Sequence, residues 1–202
     1  MTPFAHRMLF LRHGETDYNK EGRLQGQRDI PLNGRGREQA AAVGRSLRKL
    51  LAPELVSLET AGAFVASPLL RTRQTMEIAR EAMGLPPALY RQSTELKELT
   101  FGDWEGLTWP EVAAREPAGA AARDADKWNY CPPRGESYAM LADRLRPWLE
   151  EQTRDLFVVS HGGVARALMT MIADVSTDLA AGVNIHQGRA IWFENGRYRW
   201  VG

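Results

Sequence analysis

Short apolar runs alternate with longer amphipathic stretches along most of this chain. Met8, Leu9, Phe10 and Leu11 form an unbroken apolar run that closes on Arg12, His13 and Gly14, the pattern of a strand buried on both faces that ends in a polar turn. From Asn33 the period changes. Ala40, Ala41, Val43, Leu47, Leu50 and Leu51 recur at helical spacing, with Asn33 as a cap and Pro53 as a stop. Residues 63–66 predict a second buried strand, and Ser67 and Pro68 then open a helix that runs to Met83, where Gly84 stops it. Residues 89–91 are a candidate third strand. A helix is predicted over 136–152, with Leu141, Leu145, Trp148 and Leu149 on one side and Pro147 as a kink point. Residues 156–159 predict a strand, Ser160, His161, Gly162 and Gly163 a polar turn, and 164–173 a helix. Asn195 and Gly196, between apolar runs at 190–193 and 198–201, predict a hairpin.

This alternation predicts an α/β fold, a three-layer sandwich around a mainly parallel sheet with one antiparallel strand. No repeat and no low-complexity linker interrupts it, so one domain is expected over 1–202. Within it, the segment 103–135 is expected to form a cover of short helices and loops. In parallel sheets ligands sit beyond the carboxyl ends of the strands. Three such ends carry polar chemistry: Arg12 with His13, Ser67 to Arg71, and Ser160 with His161. They are expected to meet.

Composition narrows the field of functions. The 202 residues are 44% hydrophobic and 25% charged, average values for a globular protein. With 26 Lys plus Arg against 25 Asp plus Glu, the net charge is +1, which offers no field for nucleic acid or an anionic membrane. Any anion must be bound locally. Arginine dominates the cations, and its planar fork suits phosphate and carboxylate. Cys131 is the single cysteine and reads as an ordinary thiol. No apolar run is long enough to span a membrane, and no signal-peptide pattern opens the chain, so cytoplasm is the expected location.

A histidine beside an arginine at a strand end can act as a nucleophile toward phosphorus, because the arginine offsets charge on the product as it forms. His13 is the candidate nucleophile. Arg12 and Arg71 would hold the nonbridging oxygens, His161 would add a donor, and the amides of Gly162 and Gly163 would assist from a helix start. Glu98 is the candidate acid for the leaving oxygen, with Glu95 and Glu105 nearby in sequence. His6, His186 and Arg73 fit no such position. Phe101, Trp104 and Trp109 read as packing residues. No metal-binding motif is present, nor a P-loop or dinucleotide turn, so neither metal nor cofactor is expected.

The segment LRHGETDYN at 11–19 resembles the signature of the histidine phosphatase superfamily, which contains phosphoglycerate mutases, fructose bisphosphatases and α-ribazole phosphatases. Five further blocks look like this family, in its order: 23–40, ASPLLRTRQT at 66–75, LKELTFGDWEG at 96–106, GES at 135–137, and VVSHGGVARAL at 158–168. The resemblance implies a phosphoglycerate mutase-like fold. It implies His13 as nucleophile, Glu98 as proton donor, Arg12, Arg71 and His161 as the phosphate pocket, and Asn19, Gln25, Gly26 and Gly162 as further phosphate contacts. The expected activity is metal-independent hydrolysis of small phosphorylated metabolites through phosphohistidine. Two alternatives stand beside it: a cofactor-dependent phosphoglycerate mutase, and a phosphate-sensing or phosphohistidine-relay protein without turnover. The mutases are usually longer between the Glu98 and GES blocks, which favours hydrolysis. The substrate depends on residues 108–133, where the sequence carries no periodic signal.

Overall fold

A computed structural model describes residues 4–51 and 63–201. At its centre a six-stranded sheet has the order β3, β2, β4, β1, β5, β6. The strands are β1 (Met8–Arg12), β2 (Phe64–Ala66), β3 (Arg91–Gln92), β4 (Leu156–Ser160), β5 (Ala190–Glu194) and β6 (Arg197–Val201). β1, β2, β3 and β4 run parallel, and β5 is antiparallel to both its neighbours. The fold is therefore the three-layer α/β sandwich that the apolar pattern predicts.

The strands without polar positions feed two cores at once, because successive side chains point to opposite faces. Met8 and Phe10 of β1, with Leu156 and Val158 of β4, enter one core together with Leu141, Leu145 and Leu168. These belong to α6 (Tyr138–Glu150) and α7 (Gly162–Ala173). Leu9 and Leu11, with Phe157 and Val159, enter the other, which α2 (Gly34–Leu50) and α3 (Leu70–Met83) cover with Val43, Leu47 and Met76. The short α1 (Asp17–Lys20) precedes α2, α4 (Trp109–Arg115) and α5 (Pro117–Ala125) come between α3 and α6 in the chain, and α8 (Thr177–Gly182) follows α7.

Element edges differ from the sequence expectation in informative ways. The third strand is Arg91–Gln92 rather than 89–91, since Leu89 is exposed and only Arg91 and Gln92 find partners, in Val65 and Ala66. α3 begins at Leu70, not at Ser67, because the Ser67 amide is still bonded to the Val159 carbonyl at 3.0 Å. The sheet holds Ser67 at its edge. α7 begins at Gly162 rather than 164, with His161 as its cap residue. α6 runs through Pro147 from a Ser137 cap. The expected end of α2 at Pro53 lies outside the described residues.

Candidate active site

Adjacent parallel strands deliver their last residues to one edge, and here β2, β4 and β1 are neighbours. Arg12 stands opposite Ser160 in register, and the His13 amide bonds the Ser160 carbonyl at 2.9 Å. His13 and His161 therefore lie side by side, with ring centroids 5.3 Å apart. Beyond them opens a cavity of about 250 Å³ lined by Arg12, His13, Asn19, Gln25, Gly26, Arg71, Glu98 and Gly162. His161 stands behind that wall, wholly buried.

The hydrogen bonds fix which histidine nitrogen carries hydrogen. His13 Nδ1 lies 2.8 Å from the Gly14 carbonyl, which can only accept, so the hydrogen sits on Nδ1 and Nε2 presents a lone pair. Arg71 Nε approaches that lone pair at 3.3 Å. Burial, with Arg71 and Arg12 alongside, holds His13 well below the ordinary histidine range, so the ring is neutral. His161 is lowered too, by burial and then by Arg71 and His13. Its Nε2 meets Ser67 Oγ at 2.8 Å. Ser67 Oγ also accepts the Leu69 N–H, and as a hydroxyl it can either give a hydrogen to Nε2 or take one from it. Among the described residues His161 Nδ1 has no partner, and neither has the buried Arg12 Nε. A buried guanidinium N–H and a buried ring nitrogen left without partners are costly unless a ligand receives them.

The two arginines are held by backbone carbonyls rather than by carboxylates. Arg12 Nη1 donates to Ile185 O at 2.7 Å. Arg71, only 1% exposed, donates to Arg28 O at 2.7 Å and Gly26 O at 2.8 Å. Burial draws both guanidinium groups down to about 10, against the opposing pull of Glu98. Gly26 can turn its carbonyl toward Arg71 because its φ is +52° and a Cβ there would strike the Glu105 carboxylate. Asn19 Oδ1 and Gln25 Oε1 both accept from Thr16, so each amide keeps its NH2 as a donor.

Glu98 is fixed by two amides, Gly163 N–H to Oε2 at 3.1 Å and Leu99 N–H to Oε1 at 3.1 Å. This corrects the expectation for Gly163: its amide serves Glu98, not an incoming anion. Arg144 braces the Glu98 loop from outside. It pairs with Glu136 through Nε at 3.0 Å and Nη2 at 2.9 Å, and donates to the carbonyls of Glu95 and Lys97. Glu136 of the GES block is thus a structural clamp. Glu105 ties the other side, accepting from Gln27 N–H, Thr100 Oγ1 and Phe101 N–H.

Residues 8–201 match the family described as Histidine phosphatase superfamily (branch 1). The chain belongs to that superfamily. It is similar to a glucosyl-3-phosphoglycerate phosphatase of Mycolicibacterium vanbaalenii, 36% identical over 187 residues, covering 86% of this chain and 77% of the relative. A metal-independent phosphoserine phosphatase of Arabidopsis thaliana is 33% identical, with 88% of this chain and 74% of the relative covered. Among solved structures, a mycobacterial glucosyl-3-phosphoglycerate phosphatase in complex with VO3 superposes with a TM-score of 0.75 at 29% identity, covering 98% of both chains.

His6 packs on Phe4, and the exposed His186 on Trp200, both away from the histidine phosphatase cavity. Trp104 is core, while Phe101 and Trp109 line the cavity. Cys131 is exposed and free. The sequence reading missed Ser67 as the partner of His161, and it missed Arg123, Tyr138 and Arg166 on the cavity wall. Arg166 had a readable signal, since it follows Gly162 by four residues on one helical face. Arg123 had none, lying in an Ala-rich stretch without periodicity. Among the described residues no helix is long and apolar enough to cross a membrane.

Proposed function

We propose that the chain is a phosphomonoesterase that works through a phosphohistidine at His13 and needs no metal or cofactor. Nε2 of His13 attacks phosphorus, the P–N bond forms, and the P–O bond to the alcohol breaks. The alcohol oxygen takes a proton from Glu98 in its acid form; water then attacks the phosphohistidine as Glu98 takes a proton back, the P–N bond breaks, its electron pair returns to Nε2 and inorganic phosphate leaves. Arg12 and Arg71 carry the charge on the nonbridging oxygens, the task a metal ion performs in other phosphatases. Arg12 Nε–H, His161 Nδ1–H and the NH2 groups of Asn19 and Gln25 complete the donor set, and Gly162 leaves the approach open.

The observation that carries this reading is the neutral His13 with its lone pair on Nε2, beside the buried Arg12 Nε–H and His161 Nδ1, which lack partners among the described residues. Phosphatase relatives support hydrolysis as the outcome. We read the substrate as a small phosphorylated metabolite and the setting as the cytoplasm, with one domain over 1–202 and residues 103–135 as its cover. Neither nucleic acid nor membrane has a counterpart in a chain of net charge +1.

His13→Ala tests the reading directly. The parent releases phosphate from p-nitrophenyl phosphate in EDTA, is inhibited by vanadate, and yields an acid-labile, alkali-stable phosphoenzyme after rapid quench. The variant loses turnover and label to background while melting near the parent. Turnover that survives in His13→Ala, or that requires added Mg or Zn, overturns it.

A further inference from the structure

The cavity carries more positive charge than one phosphate requires. Its wall holds five arginines, Arg12, Arg23, Arg71, Arg123 and Arg166, against the single carboxylate of Glu98. Arg23 is already neutralised, by Glu21 at 2.7 Å and Glu111 at 3.2 Å. Arg12 and Arg71 belong to the phosphate. Two guanidinium groups, Arg123 and Arg166, remain.

Both are held in place rather than left to wander. Arg166 donates from Nε to Val183 O at 3.0 Å and from Nη1 to Tyr138 Oη at 3.3 Å. The same Nη1 comes within 3.3 Å of the point where a Cβ on Gly162 would stand, and Arg12 Nε within 3.7 Å of that point. Arg166 therefore borders the phosphate position. Among the described residues it has no carboxylate partner. Arg123 comes from α5 and sits over Trp109, its guanidinium carbon 3.8 Å from the ring centroid. Its side chain is 17% exposed, and among the described residues its one acidic partner is the adjoining Asp124, itself 73% exposed and so largely solvated. Burial pulls Arg123 below its ordinary range and Arg166 adds repulsion. Tyr138, stacked on Trp128, receives the Arg166 bond and keeps its own hydroxyl hydrogen for a ligand.

Resting on the phosphatase reading above, we propose that Arg123 and Arg166, with Tyr138, form a second anion subsite, so that the preferred substrates are phosphate esters whose alcohol carries a further carboxylate or phosphate. Two pre-positioned, partly desolvated guanidinium groups gain from an anion and lose from a neutral alcohol group, which leaves their mutual repulsion in place. Trp109 supplies the platform that keeps Arg123 in place when the subsite is empty.

Matched esters test this. 3-Phosphoglycerate against glycerol 3-phosphate isolates a carboxylate, and fructose 1,6-bisphosphate against fructose 6-phosphate isolates a second phosphate. The parent favours at least one acidic member by about ten- to a hundredfold in kcat/KM, the range of a charge-assisted hydrogen bond. Arg123→Gln and Arg166→Gln each collapse that ratio, chiefly through KM. Arg123→Lys restores part of it, and Arg91→Gln, on the far edge strand, leaves it unchanged. Ratios near one for both pairs in the parent, or a ratio that Arg123→Gln does not alter, overturn the subsite. Failure of all four esters and of p-nitrophenyl phosphate to release phosphate overturns the phosphatase reading instead. The subsite is then judged by calorimetric binding of the same four esters to His13→Ala, where equal affinities within both pairs sink it.

Discussion

Single atoms decide most of what this site can do. The Gly14 carbonyl chooses the His13 tautomer, and the Ser67 hydroxyl chooses where the His161 ring sits. Neither choice is readable from RHG or SHGG alone, because both depend on a partner brought in by the fold. Glu98 is the residue whose role is easiest to mistake, since Glu105 is also close and also buried in hydrogen bonds. Their partners separate them. Glu105 accepts three donors that tie loops together, whereas the Glu98 carboxylate opens on the cavity. Glu98→Gln keeps the shape of the side chain and one acceptor oxygen but cannot donate a proton to an alkoxide. Hydrolysis of an alkyl phosphate is expected to fall by about two to four orders of magnitude, the span of general acid catalysis. A nitrophenolate leaves without a proton, so p-nitrophenyl phosphate loses far less. Equal losses on the two esters remove Glu98 from the acid role.

At the scale of elements, the site rests on a contact between two glycines that the sequence gives no reason to pair. The start of α2 lies against the turn after β1. A Cβ on Gly36 would sit 2.7 Å from the Glu15 amide nitrogen and closer still to its carbonyl, and a Cβ on Gly14 would strike Gly36 in return. Gly36→Ala must push α2 away from the turn that carries His13. It is expected to cost about 1–3 kcal/mol, the usual range for overpacking, and to lower kcat as well. Gly34, two residues earlier in the same helix, has nothing within 4 Å of its would-be Cβ. Gly34→Ala should be neutral or stabilise by up to about 1 kcal/mol. Urea midpoints and turnover of both variants check the pair, and similar behaviour would dissolve the docking argument. The strands were legible in the sequence because four of them are uninterrupted apolar runs with a polar stop. The cover was not, since α5 buries no residue fully and so leaves no hydrophobic period to read. The one cavity residue that α5 contributes, Arg123, is visible only after folding.

Over the whole molecule, the site is a store of unfavourable electrostatics held by the two cores on either side of the sheet. Burying two histidines among arginines keeps them neutral, which suits a nucleophile and a donor but ties stability to pH. In the unfolded chain both would titrate at about 6.5. In the folded chain both are lowered, by burial first and by Arg71 next. The unfolded state therefore binds more protons below about pH 6.5, and stability falls as pH drops through that window. The slope from each histidine is at most about 1.4 kcal/mol per pH unit, and it vanishes above the unfolded value, where both states are neutral. Carboxylates elsewhere also lose favourable interactions in acid, so the comparison must be with His13→Ala, in which those terms persist and one histidine is gone. Between pH 7.5 and 5.5 the parent should lose more unfolding free energy than the variant. The gap should open only below about pH 6.5. Vanadate, which occupies the same donors, should raise the parent's melting temperature by mass action and the variant's less. Parallel stability curves for the two proteins across this range would mean that His13 is not held neutral by the fold, and the tautomer argument for its Nε2 would fall with it.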